Sequence, residues 1–238
     1  MADNKKGEHD AHRQRVYNRF LSEGLDGFEE HNAMEFLLFL ARARGDTNSL
    51  AHTLVNHFGS VANVLDADIN DLQSVEGVGQ STAVVLKFIP QMCRYYLDSR
   101  VKNLKMMDSV EAVAEFLRPK FFGLTVEKLY MLALDDKRSL IRCICISQGI
   151  VNATPVEISK IVAETTKCNA SGIIIAHNHI RSTCLPSSAD ISTTRNVYSA
   201  MRMIGAELVD HLIFSDTDYM SFTDTKYMET VKQSLGLR

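Results

Sequence analysis

The chain has 238 residues, of which 45% are hydrophobic and 23% charged, with a formal net charge of −3. These values lie near the globular average, which excludes wholesale disorder, and the length suits one large domain or two of ordinary size. The longest apolar stretches, residues 34–41 and 172–176, are far too short to cross a bilayer. The polar first ten residues lack the apolar core of a signal peptide, so a cytoplasmic protein with no membrane partner is expected. There are 12 basic and 14 acidic residues up to Lys105, and 14 and 15 after it. Neither half is a basic module, so any nucleic-acid binding must come from a local feature. The cysteines (Cys93, Cys143, Cys145, Cys168 and Cys184) are five with no CxxC pair, which predicts free thiols in a reducing compartment.

In chain order, residues 1–10 read as a disordered polar tail. Residues 11–102 read as a helical domain without strand-like alternation. Its first helix carries Val16, Phe20 and Leu21; its second carries Met34, Leu37, Leu38 and Ala41 as one buried stripe. A third runs through Leu50, Leu54 and Phe58 and stops at Gly59, a natural left-handed terminator. The charged stretch 98–105 is expected to be a linker. Beyond it, residues 106–230 mix helices and strands, which indicates an α/β domain. Asp108-Ser109 predicts a helix cap. Strands are expected at 129–134, 141–147, 172–177, 208–214 and 219–222, with helices at 156–167 and 189–204. Cys143 and Cys145 alternate on one strand, with core packing the simplest account.

The most informative stretch is His177-Asn178-His179, followed after seven residues by Ser187 and then by Asp190. The three isoleucines at 173–175 make His177 the end of an apolar strand. Residues i and i+2 of a strand share a face, so both imidazoles point to the same side. Two neutral imidazoles so placed suit a borderline metal such as Zn²⁺. Asp190 begins the next helix, after a loop with a Pro186-Ser187 corner that folds the carboxylate back toward the histidines. Two histidines and one aspartate leave a fourth position for water, as in a catalytic zinc site. Asp210 and His211 are candidates to orient a ligand imidazole, with packing an equal alternative.

His177, His179, Ser187 and Asp190 resemble the complete JAMM (MPN+) metalloprotease signature, and the surrounding words resemble the bacterial RadC family. So do residues 126–135, the Gly149–Asn152 word at 149–152, and Asp210-His211 followed by Leu-Ile-Phe. The resemblance implies an MPN/JAB-like (cytidine-deaminase-like) mixed sheet with helices, one Zn²⁺ per chain, and hydrolysis of a peptide or isopeptide-like amide bond. It also implies a distant glutamate to take and return the proton, for which Glu127 is the choice and Glu157 the rival. By the same analogy Ser187 donates to the tetrahedral oxyanion or positions the zinc water, with helix capping as a coexisting role. The chain departs from the family after His-Asn-His: where Pro-Ser-Gly is usual, Ile180-Arg181-Ser182 stands. The metal ligands survive this change, and the loop at the substrate rim does not.

The helical half adds a second resemblance. Residues 72–86, with Gly77-Val78-Gly79 and Ala83, resemble a helix-hairpin-helix, whose exposed backbone N–H groups suit a DNA phosphate. Lys87 and Arg94 are the only cations near, beside Asp68, Asp71 and Glu76, so the expected DNA contact is weak and not sequence-specific. Gly77, Val78, Gly79 and Lys87 are the candidate contacts. The alternative function is thus a DNA-associated repair protein, nuclease or scaffold, with the metal site accessory or silent. A homodimer is compatible with either reading.

Overall fold

The computed structural model describes residues 2–42, 47–101, 105–149 and 155–237. The chain divides into two compact units, Met1–Cys93 and Arg94–Arg238.

The first unit contains α1 (Ala2–Glu23), α2 (Glu30–Ala41), α3 (Asn48–Phe58), α4 (Val61–Asp66), α5 (Ile69–Ser74) and most of α6 (Gln80–Val101). Where composition suggested a tail, the chain is helical from Ala2; Ala, Lys and Glu favour a helix without needing an apolar face. Met34 and Leu38 of α2 enter the core, as their spacing predicts, together with Leu50, Leu54, Val64, Leu72, Val78, Ala83 and Leu86. Helix α3 ends at Gly59 with φ 88°, its N–H donating to the Val55 carbonyl at 2.8 Å. The turn between α5 and α6 needs positive φ at Gly77, 88°, a conformation that other residues rarely adopt. Gly79 has neither a positive φ nor a neighbour within 4 Å, so only one of the two expected glycines is demanded by this turn.

The second unit begins inside α6. The charged stretch expected as a linker is in part the last turn of that helix: Asp98 pairs with Lys120 at 2.6 Å, and Val101 is buried. Residues 102–104 of the expected linker lie outside the described residues. Then follow α7 (Val110–Phe121), β1 (Lys128–Leu134), β2 (Leu140–Gln148), α8 (Pro155–Lys167), β3 (Gly172–Asn178), α9 (Ser188–Met203), β4 (Glu207–Phe214), β5 (Tyr219–Ser221) and α10 (Tyr227–Ser234). Helix α10 had no sequence expectation; it carries Met228 and Val231 into the core, so the unit extends past residue 230.

The five strands form one mixed sheet in the order β2-β1-β3-β4-β5. β3 and β4 are parallel and the other pairs antiparallel, so α9 is the crossover joining the two parallel strands. Both faces are covered. Ile173 and Ile175 join Ile161, Val197, Met201 and Met228 from α8, α9 and α10; Ile174 and Ala176 join Val113 and Leu117 from α7. A strand buried on both faces reads as a continuous apolar run, which is why residues 172–176 are so uniform. Each such isoleucine is worth about 1.5–3 kcal/mol of burial. Among the described residues no helix is long and apolar enough to cross a membrane, and the five cysteines are free. Cys143 is half-buried on the sheet, but Cys145 is exposed, so core packing accounts for only one of the pair.

Candidate metal centre

Parallel strands leave a crevice at their carboxyl ends, and β3 delivers His177 there, on the face that Ile173 and Ile175 occupy further down. Helix α9 starts at the same end. Its N-cap is Ser187, whose hydroxyl accepts from the Asp190 N–H at 3.2 Å while the Ser187 N–H donates to Asp190 Oδ2 at 2.7 Å. This reciprocal box fixes the carboxylate in the first turn, where the helix dipole favours it. The result is a cluster of His177, His179 and Asp190 with donor atoms within 4.8 Å of one another. His177 Nε2 lies 3.1 Å from Asp190 Oδ1, and His179 Nε2 lies 3.5 Å from Asp190 Oδ2.

Hydrogen bonds decide which ring nitrogens are bare. Thr194 donates its hydroxyl proton to the Asp190 carbonyl at 2.6 Å, so it accepts from His211 Nδ1 at 2.7 Å. His211 is fully buried, and desolvation holds its pKa well below the ordinary value, so the ring is neutral and its Nε2 is an acceptor. That nitrogen takes the Nδ1 proton of His177, 2.9 Å away. His179 Nδ1 faces the Thr183 carbonyl at 2.8 Å and must also carry a proton. Both ligand histidines are thereby fixed with bare Nε2 atoms, and these sit only 3.1 Å apart beside a carboxylate. Three electron-rich groups so close repel one another unless a positive charge lies among them. The donor set, two imidazoles and one carboxylate, is the chemistry of a zinc-type ion.

Burial of Asp190 acts against its charge, and the hydroxyl and backbone N–H of Ser187, both donating to Oδ2, act in favour of it. Ser187 also donates its proton to Asp190 Oδ2 at 2.6 Å. In this structure the serine therefore serves as cap and carboxylate anchor.

Glu127 stands immediately before β1. Two residues on, Leu129 pairs with His177, the last rung that β1 and β3 share. Asn178, buried between the two histidines, clamps this position from both sides. Its Oδ1 accepts from the Lys128 N–H at 2.8 Å, and its amide reaches the Val126 carbonyl at 3.4 Å. Glu157, the rival, is buried in the first turn of α8. Residues 150–154, including most of the 149–152 word, lie outside the described residues.

Sequence reasoning anticipated His211 but not Thr194 or the clamping role of Asn178. Thr194 occurs four residues after Asp190, a helical spacing that could have marked it. Asp210 turns away from the metal cluster and instead binds Ser221 Oγ at 2.5 Å and the Thr223 N–H at 3.0 Å. Cys184 packs against the apolar core and is not among the clustered donors. In the helical unit, Lys87 is committed elsewhere than expected: its ammonium donates to the carbonyls of Leu65, Asp66 and Ala67 at 2.9, 3.1 and 2.8 Å, closing the end of α4. Val78 is buried in the same core. Of the four expected DNA contacts, only the backbone around Gly77 and Gly79 is left for that role.

Comparison with known proteins agrees with this geometry. A family model described as a RadC-like JAB domain matches residues 107–227, the stretch that holds every residue of the metal cluster. Over 219 residues the chain is 29% identical to UPF0758 protein FN0909 of Fusobacterium nucleatum subsp. nucleatum, a match covering 89% of this chain and 94% of that protein. The chain belongs to the RadC-like JAB-domain family.

Proposed function

We propose that this protein is a metal-dependent hydrolase that cleaves an amide bond in a peptide or protein substrate, peptide or isopeptide. The reading is carried by one observation: two imidazoles whose Nδ1 atoms are taken by His211 and the Thr183 carbonyl turn their Nε2 atoms, 3.1 Å apart, onto one buried carboxylate. His177, His179 and Asp190 would hold one zinc ion. When bound, the ion supplies Lewis-acid polarisation and makes water acidic enough to attack near neutral pH. Glu127 takes the proton from the attacking water and returns it to the leaving amine, the acid–base work for which the Asn178 clamp holds its backbone. Ser187 keeps Asp190 in place through its backbone N–H, and its hydroxyl turns to donate to the tetrahedral oxyanion. The DNA-docked alternative has lost Lys87 to the end of α4, and with it the strongest side-chain phosphate contact it had.

The test has two parts. Protein purified without chelator should hold about one zinc per chain, lost in His177→Ala and Asp190→Ala. Glu127→Gln should keep the zinc and lose peptide hydrolysis by about 10²–10⁴-fold. A wild-type chain that stays empty in added zinc, or a Glu127→Gln variant that hydrolyses normally, would overturn the proposal.

A further inference from the structure

The loop joining His179 to Asp190 carries a cation that the metal cluster does not use. Arg181 is exposed and has φ 51°, a left-handed conformation that glycine adopts freely and arginine rarely. The turn that imposes it is closed by a metal-site histidine itself, since His179 Nδ1 donates to the Thr183 carbonyl at 2.8 Å, with Arg181 midway between the two. Arg181 is thus fixed to the site by its backbone, while its side chain is uncommitted. Among the described residues its guanidinium has no hydrogen-bond or ion-pair partner. Five other cations of this unit are used internally: Lys120 on Asp98, Arg138 on Glu207, Arg142 and Lys167 on Glu164, and Lys160 on the Cys145 and Ile146 carbonyls. Leu185 of the same loop is 64% exposed, an apolar side chain open to a substrate.

We propose that Arg181 is a specificity-determining residue that receives a carboxylate of the substrate close to the scissile amide; this rests on the amide-hydrolase reading above. Arg181 stands two residues from His179, inside the turn that His179 closes, so its side chain starts from the rim of the cluster. The planar guanidinium offers paired N–H donors that match a carboxylate in two parallel bonds, and an ammonium could not. Strained non-glycine residues persist where the surroundings hold them, and they concentrate at ligand-contacting positions. The carboxylate can be an Asp or Glu side chain or the chain terminus, and the test separates the two.

The test uses zinc-loaded protein carrying Glu127→Gln, so that peptides bind without being cut. Calorimetry compares N-acetylated, C-amidated hexapeptides that are identical but for one Asp, Asn or Lys, together with the Asn peptide bearing a free C-terminus. The Asp peptide or the free-carboxylate peptide should bind about tenfold tighter than the blocked Asn peptide. Arg181→Gly, which suits the left-handed backbone, should erase that ratio, and Arg181→Glu should favour the Lys peptide. Equal affinities in the Arg181 protein, absence of binding by every peptide, or a preference that survives Arg181→Gly would overturn the proposal. Displacement of the peptides by a single-stranded oligonucleotide with the same dependence on Arg181 would overturn it too, in favour of phosphate. Discrimination with no hydrolysis by the Glu127 protein would refute the hydrolase reading and leave the carboxylate site standing. Hydrolysis without discrimination would do the reverse.

Discussion

Replacing Thr194 by valine removes one hydroxyl, keeps the shape, and tests whether the metal ligands are held in register by the buried chain behind them. Thr194 is fully buried and makes two bonds, to the Asp190 carbonyl at 2.6 Å and from His211 Nδ1 at 2.7 Å. Without it the His211 Nδ1 proton has no acceptor in a site closed to water, which costs about 1–3 kcal/mol of stability. The ring escapes by moving its proton to Nε2. That proton then faces His177 Nδ1 at 2.9 Å, and His177 must shift its own proton to Nε2, the lone pair needed for the metal. Loss of such an outer partner lowers metal affinity about 10–100-fold, or about 1.4–2.7 kcal/mol. Zinc affinity is measured by competition with a chromophoric chelator, and stability by urea unfolding of the metal-free protein. Thr194→Ser restores the hydroxyl and should recover most of the affinity. If Thr194→Val binds zinc like the wild type, or Thr194→Ser fails as badly, the tautomer argument is wrong.

Four further outcomes follow from single contacts. Lys87→Met should lower urea stability by about 1–3 kcal/mol, because three carbonyls at the end of α4 lose a charged donor; a variant as stable as wild type would return Lys87 to the surface. Asn178→Ala should leave zinc content intact and reduce kcat about tenfold or more by releasing Glu127, with the acid limb of the pH–rate profile displaced. Because the folded-state pKa of His211 is depressed by burial, its contribution to stability is complete above 6.5, the ordinary value. It is lost as pH falls below that, where the unfolded chain takes up a proton the buried ring refuses; unfolding midpoints against pH should flatten there in His211→Leu. Burial pushes the Cys143 thiol up to about 12, so iodoacetamide at neutral pH should label the exposed Cys93 and Cys145 well before Cys143 in mass spectra of the native protein.

Most of this architecture is legible because period and composition change where the fold changes. The β-branched isoleucine run at 173–175 reads as a strand buried on both faces, and a strand of that kind ends in a crevice where two histidines are worth noticing. Gly59 ends α3 as expected because the left-handed turn there needs no tertiary contact. Errors arise where a distant partner decides. The charged turn at 98–101 looks like a linker until Lys120 takes Asp98 and Val101 finds the sheet. Lys87 looks like a phosphate reader until α4 turns its carbonyls toward it. Thr194 has only its helical spacing from Asp190 to mark it, because its value depends on His211, seventeen residues away on β4.

The metal centre is also where the apolar core of the sheet unit stops. On the α8–α9 face, β3 runs Ile173, Ile175, His177; β4 runs Leu208, then His211 and Ile213; α9 carries Val197 and Met201 before reaching Thr194 and Asp190. Three elements thus turn polar at the same end, and their polar groups satisfy one another only as a set. A half-satisfied buried network is worse than an apolar one, so with no cation between them the Nε2 pair and Asp190 would conflict while the hydrophobic rows beneath would be untouched. Metal loss should therefore loosen this end alone. Hydrogen exchange in chelator should rise for the amides of residues 177–191 and stay slow for residues 172–175 and 197–201, while saturating zinc raises global stability by about 4 kcal/mol at a thousandfold excess over Kd. Uniform acceleration across the sheet would mean that the metal holds the whole unit together. Unchanged exchange would mean that a proton shared by the two histidines already does the work assigned to the ion.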